Sequence, residues 1–298
     1  MLWTEKYRPK TFDEVIGKED IVEEIQGQVE TGQISHMMFT GKPGIGKTTI
    51  GHIIARELYD EGVDSRLFKE TNASDKRGIS DIRNLKRFAA KSTLDGKFKL
   101  IFLDESDSLT KDAQNNLRRI MEDYSDSCKF ILSGNEKWRF IDALKSRCTP
   151  FDFKPISKGE CLSRLEYILE QEDATVEQET LEHLVSVYRG DLRQQINKLE
   201  SIVRSDTTLE LSDFSHVQLY KFVKEGNFMG AKKKANIEEM RKMYYYMMDK
   251  NIPNEAKADL SVVYAKYDFR VGKSPDSAIQ LNAWLAEVID VIEEHRND

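Results

Sequence analysis

The sequence has few cysteines and no long apolar run, and these two shortages exclude several classes of protein. Its three cysteines, Cys128, Cys148 and Cys161, are scattered through 298 residues, and none forms a CxxC pair. This odd, unpaired set predicts neither a disulfide framework nor a zinc site, so we expect packing residues in a reducing compartment. No apolar stretch approaches the roughly 18 residues that span a membrane. No apolar stretch follows the charged residues at the start of the sequence, as one would in a signal peptide. We therefore expect a protein without a membrane partner that stays where it is made.

Glycine, proline and net positive charge are also scarce. With 16 glycines, 6 prolines and 33% charged residues, the composition is that of a globular protein. The length predicts two or three domains. The net charge of −7 does not indicate a nucleic-acid binder, but residues 66–99 hold ten basic and four acidic side chains and carry +6. A cationic segment on an anionic protein predicts contact with a polyanion, and a solvated charged face is the alternative.

Apolar strands alternate with amphipathic helices up to about residue 155. The strands are predicted at 35–40, 67–72, 99–103 and 129–133. The helices are predicted at 19–30, 48–59, 80–91 and 112–124. This alternation predicts an α/β fold with a parallel sheet covered by helices on both faces. Later residues show helical periodicity without a convincing strand. We expect an α/β core at 1–153, a small helical domain at 154–208 and a second helical domain at 209–298.

The segment Gly41–Thr48, GKPGIGKT, matches the P-loop pattern G-x-x-x-x-G-K-[ST] at every fixed position. Its glycines allow backbone N–H groups to turn toward phosphate oxygens, and the following helix adds its positive N-terminal end. Lys47 is predicted to reach the β- and γ-phosphates, and the Thr48 hydroxyl to bind Mg²⁺. A glycine-rich turn that binds nothing is disfavoured, because this loop joins an apolar strand to an amphipathic helix.

Polar side chains follow the next two strands of the predicted sheet. Asp104 and Glu105 end the strand that begins at residue 99, and Asn135 follows the strand that ends at residue 133. We predict that Asp104 holds Mg²⁺, that Glu105 polarises the attacking water, and that Asn135 contacts the γ-phosphate or the water. From spacing alone, solvated carboxylates and a turn asparagine remain the alternatives.

Several segments beyond the P-loop carry a family pattern. They are Trp3–Phe12, Ile16–Glu19, Asn72–Ile79, Asp104–Asp107, Ser133–Asn135, Ser146–Cys148 and Gly190–Arg193. With them the chain resembles the AAA+ ATPases, and among these the small subunits of replication factor C-type sliding-clamp loaders. Lys42, Ile45 and Ser106 depart from residues common in that family, but Lys42 and Ile45 stand at variable positions of the loop, so a working ATPase is still expected. The last ninety residues match only in length and helical character.

The resemblance implies bound ATP and Mg²⁺ and a specific set of contacts. The residues expected to bind the nucleotide are Tyr7, Arg8, Pro9, Ile16, Gly41, Pro43, Gly44, Ile45, Gly46, Lys47, Thr48, Thr49, Asn135 and Arg193. Arg147 resembles the arginine finger that completes the site of a neighbouring subunit, and Arg193 resembles the sensor 2 arginine. From the residues alone, the alternatives are that Arg147 pairs with a local acid such as Asp142 and that Arg193 forms a surface salt bridge.

The resemblance also implies partners: a pentamer with a distinct large subunit, a ring-shaped sliding clamp, and primer–template DNA. The residues expected to contact the DNA backbone are Lys76, Arg77, Ser80, Arg83, Arg87 and Lys91. Replication implies the cytoplasm, or the nucleus in a eukaryote. The alternatives are a branch-migration motor, an origin-binding ATPase, or a subunit that never hydrolyses ATP. The tyrosines at 244–246 resemble a base-stacking cluster, although ordinary packing in a helical domain explains them better.

Overall fold

A computed structural model describes residues 1–59, 66–73, 79–91, 98–204 and 214–295, and the side chains of 79–81 are excluded. The chain divides into two compact units. The first contains Met1–Cys161 and Gly190–Ile196, and the second contains Leu162–Arg189 and Asn197–Asp298. The three-domain division at 153/154 and 208/209 stays a prediction.

A parallel sheet forms the centre of the first unit. Its five strands among the described residues are β1 (Met37–Thr40), β2 (Phe68–Asn72), β3 (Lys99–Asp104), β4 (Cys128–Gly134) and β5 (Thr149–Asp152). The strand order is β2-β3-β4-β1-β5, and all four neighbouring pairs are parallel. The α/β fold class predicted from the alternating pattern is therefore confirmed. β1 lies between β4 and β5, so the loop that follows β1 emerges beside the end of β4.

Helices surround this sheet and complete the first unit. They are α1 (Trp3–Lys6), α2 (Glu19–Glu30), α3 (Lys47–Tyr59), α4 (Ile79–Ala90), α5 (Lys111–Asp123) and α6 (Asp142–Lys145). Side chains of α3 pack on one face of the sheet with Phe102, and side chains of α5 pack on the other with Phe130. Both faces of the central strands are buried, which explains their continuous apolar runs.

The rest of the described chain is helical. These helices are α7 (Lys158–Gln171), α8 (Gln178–Tyr188), α9 (Leu192–Arg204), α10 (Ser215–Lys224), α11 (Phe228–Lys234), α12 (Ile237–Met248), α13 (Asn254–Val271) and α14 (Ser277–Glu294). In the second unit, α10 to α14 enclose a core that contains the fully buried Trp284. Tyr246 lies buried beside His183 and His216. The tyrosines at 244–246 thus take part in packing, as the simpler interpretation predicted.

The sequence predicted that the three cysteines are packing residues and that no segment spans a membrane. Cys128, Cys148 and Cys161 are all free and buried. Burial raises the pKa of the Cys128 thiol to about 12, so this thiol is protonated at neutral pH. Among the described residues, no helix is both long and apolar enough to cross a membrane.

Candidate active site

The P-loop begins where β1 ends and leads directly into α3. Gly41, Gly44 and Gly46 have φ values of 144°, 75° and 101°, which lie in the region that favours glycine. At Gly41 a Cβ atom would overlap the carbonyl oxygen of Phe153, and at Gly44 it would overlap the Asp191 carboxylate. Glycine at 41, 44 and 46 is therefore required by backbone conformation, and at 41 and 44 also by close contacts. Gly44 and Gly46 line a cavity of about 470 Å³ in the first unit.

Lys47 lies at the base of this cavity and is only 7% exposed. Its ammonium donates to the carbonyl oxygens of Gly41 at 2.6 Å and Lys42 at 2.8 Å, and to Asn135 Oδ1 at 3.1 Å. Burial lowers the pKa of Lys47, and the carboxylate of Asp104 opposes that shift. All three hydrogen-bond acceptors are neutral, so this buried cation fits an anionic ligand such as a polyphosphate.

Thr48 and Asp104 meet across the start of α3 and the end of β3. The Thr48 hydroxyl donates to Asp104 Oδ2 at 2.8 Å. Asp104 Oδ1 accepts from the buried Ser133 hydroxyl at 2.6 Å and from the Glu105 N–H at 3.0 Å. The carboxylate is thus held from two sides, with a hydroxyl beside it. Carboxylate and hydroxyl oxygens are the ligands that Mg²⁺ prefers, so this pair fits a magnesium site.

Glu105 has an unusual backbone conformation for a residue with a side chain. Its φ and ψ are 51° and 33°, in the left-handed region. Such a conformation costs about 1–2 kcal/mol and is found disproportionately at functional sites. Glu105 also lines the cavity, while the next residue, Ser106, is fully buried. The left-handed turn separates the two, so that Glu105 faces the cavity and Ser106 faces the protein interior.

Asn135 follows β4 and reaches Lys47, as described above. Its N–H donates to Asp107 Oδ2 at 3.1 Å, and the N–H of Glu136 donates to the same oxygen at 3.2 Å. Asp107 is buried and thereby fixes the loop that carries Asn135. The simple turn asparagine is disfavoured by this geometry, because the amide oxygen accepts directly from the P-loop lysine.

The remaining predicted nucleotide contacts also surround the cavity. Its lining includes Tyr7, Arg8, Pro9, Ile16, Pro43, Ile45, Thr49 and Arg193. Arg8 Nε donates to the Thr49 hydroxyl at 3.4 Å. The charge of Arg193 adds to the effect of burial in lowering the pKa of Lys47, and both cations line the same cavity. Gly41 is not part of the lining, and its carbonyl acts through Lys47.

The pattern of the ATPase family associated with various cellular activities (AAA) matches residues 37–155. A replication factor C small subunit of Archaeoglobus fulgidus is 37% identical, and the match covers 96% of both chains. The corresponding protein of Methanoculleus marisnigri is 37% identical, with 99% of this chain and 98% of that protein covered.

The chain belongs to the replication factor C small subunit family. As a member of this family it is an AAA ATPase and binds a nucleotide. Among solved structures, the RuvB Holliday junction branch migration motor of Thermotoga maritima is similar, with a TM-score of 0.55 and 20% identity. That match covers 97% of this chain and 91% of RuvB, and it shows the fold alone.

The arginine-finger candidate of this replication factor C family member lies apart from its own cavity lining. Arg147 donates to the carboxylate of Glu122 on α5 and, at 2.9 Å, to the carbonyl oxygen of Ala143. Asp142 pairs with Lys145 at 2.7 Å. The alternative that Arg147 pairs with a local acid such as Asp142 was therefore wrong about the partner, since Glu122 accepts from Arg147 and Asp142 pairs with Lys145. The role of Arg147 in a neighbouring site stays a prediction.

The predicted DNA-binding residues are only partly described. Arg83, Arg87 and Lys91 are exposed, and the apolar side chains of α4 at Ile82 and Leu85 are buried on the other side. Lys76, Arg77 and the side chain of Ser80 lie outside the described residues. The structure thus gives three exposed cations on one stretch of chain, and DNA contact stays a prediction.

Sequence reasoning gave no role to three polar residues that shape the site. Ser133 and Asp107 hold Asp104 and the Asn135 loop, and Lys18 is a buried part of the cavity lining. Ser133 and Asp107 belong to segments that carry the family resemblance, and their place in those segments could have indicated a role in the site. Lys18 also lies in one of these segments, Ile16–Glu19, but nothing in its local pattern distinguishes it from the many exposed lysines of the chain.

Proposed function

We propose that the chain is an ATP-driven clamp-loader subunit. ATP binding drives opening of a ring-shaped sliding clamp and binding of primer–template DNA, and hydrolysis releases the loaded clamp. The observation that carries the proposal is the 37% identity to a replication factor C small subunit over 96% of both chains. We infer that it acts at the site of DNA replication, in the cytoplasm or, in a eukaryote, the nucleus.

The residues of the cavity support ATP and Mg²⁺ as the bound groups. Lys47 and the P-loop N–H groups would hold the phosphates, and Thr48 with Asp104 would hold Mg²⁺. The metal would neutralise charge on the phosphate oxygens. Arg193 would bind the γ-phosphate, and Asn135 would orient it or the attacking water. Glu105 would accept a proton from that water, because its carboxylate faces the cavity.

Assembly is proposed to complete each ATP site. Arg147 would leave Glu122 and reach the γ-phosphate of a neighbouring subunit in a pentamer that contains a distinct large subunit. An arginine in this position stabilises transition-state charge and is worth about 10³–10⁵ in rate. Native mass spectrometry of the chain with a candidate large subunit and an ATP analogue tests the assembly. A chain that stayed monomeric under all these conditions would contradict it.

Arg83 and Arg87 on α4, and Lys91 directly after it, are proposed to contact DNA phosphates. Arg83, Arg87 and Lys91, with Lys76, Arg77 and Ser80, would bind the duplex backbone without reading bases. The triple variant Arg83→Ala, Arg87→Ala and Lys91→Ala should bind primer–template DNA more weakly, with a smaller salt dependence. The control removes three exposed lysines from α11, Lys232–Lys234, and should bind as the wild type does. Equal binding by both variants would contradict the proposed surface.

The decisive experiment measures ATP turnover of the assembled complex. Turnover should be highest when clamp and primer–template DNA are both present, and lower with either alone. Identical turnover with and without both would overturn the clamp-loader function. The likeness to RuvB does not support branch migration, since 20% identity shows the fold alone. Assays for strand separation would nevertheless detect such an activity in the same preparation.

A further inference from the structure

A second cavity, lined by residues of α12 and α13, lies in the second unit. Its volume is about 220 Å³, and three of its lining residues are aromatic, Tyr244, Tyr245 and Tyr264. Arg241 and Asp268 line it as well. Cavities that take drug-sized ligands measure about 300–1,000 Å³, so this one suits a group of the size of a single ring. No described residue lines both this cavity and the nucleotide cavity.

Tyr264 is a lining residue with a buried hydroxyl. The residue is 6% exposed, and its hydroxyl makes no hydrogen bond within the described part of the chain. Burial raises the pKa of Tyr264, and the nearby backbone of Tyr244 opposes that shift without forming a hydrogen bond. Leaving a buried hydroxyl unpaired is costly. The Tyr264 hydroxyl therefore indicates an acceptor on a ligand.

The neighbouring ring of Tyr244 is fixed in place. Its centroid lies 4.3 Å from that of Tyr264, with an angle of 35° between the two planes. The Ser261 hydroxyl donates to the carbonyl oxygen of Lys257 at 2.7 Å, so the phenol is the donor in the 3.0 Å contact between Tyr244 and Ser261. The two rings thus form a wall that is arranged before any ligand binds, which lowers the entropic cost of binding a planar group.

Charge in and beside the cavity favours an anion. Arg241 Nε donates to Asp268 Oδ1 at 2.6 Å, and Arg241 makes no other hydrogen bond among the described residues. A guanidinium has five N–H donors, so most of those of Arg241 are available to a ligand. The guanidinium of Arg189 lies 3.6 Å from the centre of the Tyr245 ring, which gives two cations against one carboxylate. Guanidinium N–H groups match the two oxygens of a carboxylate, so a carboxylate suits this cavity.

We propose that this cavity binds an aromatic ring that carries a carboxylate. The ring packs against Tyr244 and Tyr264, and the carboxylate accepts from Arg241 and from the Tyr264 hydroxyl. Both donors line a cavity of only about 220 Å³, and the charge of Arg241 acts on the pKa of Tyr264. The site does not depend on the ATP and DNA binding proposed above, because its lining belongs to the second unit.

The rim of the cavity suits a ring carried by a polypeptide. Val262 and Phe269 are 69% and 65% exposed. They lie three residues before and four residues after Ala265, a lining residue, and so fall on the same face of α13. Two large apolar side chains beside the cavity would contact a segment that enters it. The ring then belongs to an aromatic residue next to an acidic one in a partner protein, and a free aromatic acid is the other source of the same chemistry.

Fluorine NMR measures the dissociation constants of para-fluorophenylacetate and of its neutral counterpart para-fluorophenylacetamide. The proteins are the full chain as wild type, Arg241→Met, Tyr264→Phe and Arg270→Met. The carboxylate should bind the wild type about tenfold more tightly than the amide, which is the gain expected from a charged hydrogen bond. That difference should disappear in Arg241→Met and become smaller in Tyr264→Phe. It should persist in Arg270→Met, which removes an exposed arginine of α13 outside the cavity lining.

Three results would overturn the inference. They are equal ratios of the two affinities in the wild type and in Arg241→Met, no binding of either probe, and displacement of the probe by ATP, which would assign it to the nucleotide cavity. Should Arg241→Met not fold, Tyr264→Phe provides the comparison with the wild type, because it removes one hydroxyl and keeps the ring. A chain that binds the probe but no ATP would contradict the proposed function and leave this site standing.

A pair of peptides identifies the source of the ring. N-acetyl-Asp-Phe-amide and N-acetyl-Asn-Phe-amide differ only in the carboxylate, and the same four proteins are titrated with both. A preference for the Asp peptide that is at least as large as the preference for the free acid, and that is lost in Arg241→Met, supports a protein segment. A preference confined to para-fluorophenylacetate supports a free aromatic acid as the ligand of the same cavity.

Discussion

The guanidinium of Arg147 donates to the carboxylate of Glu122, which lies 25 residues earlier in the chain. Arg118, which lies on α5 with Glu122, also donates to this carboxylate, at 3.0 Å to Oε1 and 3.2 Å to Oε2. Glu122 therefore holds two arginines, and one of them is the candidate arginine finger. In the assembly proposed above, Arg147 would have to leave this carboxylate before it could act on the nucleotide of a neighbouring subunit. The contact within the chain would then compete with the contact between subunits.

Replacing Glu122 by Gln should release Arg147 and raise basal ATP turnover of the assembled complex. Both side chains are about one third exposed, so the pair is worth about 0–1 kcal/mol, which corresponds to at most a roughly fivefold change. Steady-state ATPase measurements without clamp or DNA test this. Asp123→Asn, the adjacent exposed residue on α5, is the control and should leave turnover unchanged. Turnover that falls in Glu122→Gln would show that Glu122 supports the active state.

Replacing Glu105 by Gln should abolish turnover while leaving ATP binding intact. Glutamine keeps the size of the side chain but cannot accept the proton of the attacking water, and loss of a general base costs about 10²–10⁴ in rate. Turnover is measured on the complex and the dissociation constant for ATP on the chain. Glu57→Gln, an exposed residue at the far end of α3, serves as the control. A wild-type rate in Glu105→Gln would remove Glu105 from the site.

Replacing Gly44 by Ala should weaken nucleotide binding by about tenfold. Its φ of 75° disfavours a side chain, and the new methyl group would overlap the Asp191 carboxylate. Asp191 accepts from the N–H of Gln194 at 3.0 Å and so caps the helix that carries Arg193. The methyl group therefore displaces either the loop or the start of α9, and such strain costs about 1–3 kcal/mol.

Gly27→Ala is the matched control for this substitution. Gly27 lies inside α2, and a Cβ atom there would have no neighbour within 4 Å. Alanine should therefore preserve ATP affinity and raise the melting temperature slightly, because glycine is the poorer helix former. Equal ATP affinity in Gly44→Ala and Gly27→Ala would contradict the steric account of the P-loop.

The stability of the second unit should decrease as the pH falls below about 6.5. Burial, with help from nearby His216 and Lys250, lowers the pKa of His183 to about 3. Between these two pH values the unfolded chain binds a proton that the folded chain does not. The free energy of unfolding therefore falls with decreasing pH, by up to about 1.4 kcal/mol per pH unit from this group. Above pH 6.5 the contribution of His183 is constant.

Urea unfolding of the wild type and of His183→Gln, followed from pH 7.5 to pH 4.5, measures this effect. Glutamine does not titrate, so the variant should lose less stability than the wild type over the acidic range. Between pH 7 and pH 7.5 the two proteins should show the same slope. Parallel curves over the whole range would mean that His183 is protonated equally in the folded and unfolded states.

The sequence by itself determined those parts of the protein whose residues are neighbours in the chain. The P-loop, its lysine and its hydroxyl follow one another within Gly41–Thr48, so their chemistry is contained in a local pattern. Continuous apolar runs at β1, β3 and β4 predicted buried parallel strands, since both of their faces are covered by helices. Asp104, Glu105 and Asn135 could be assigned to one site, because parallel strands end at the same edge of a sheet.

Only the tertiary structure decided which groups pair across long stretches of chain. Arg147 pairs with Glu122 on α5, whereas Asp142, the acid nearer in the sequence, pairs with Lys145. The bond from Ser133 to Asp104 requires β3 and β4 to be adjacent in register. Lys18 is buried because the chain before α2 forms part of the cavity wall. Composition and spacing do not carry this information, since a hydrogen bond depends on distances that the whole fold sets.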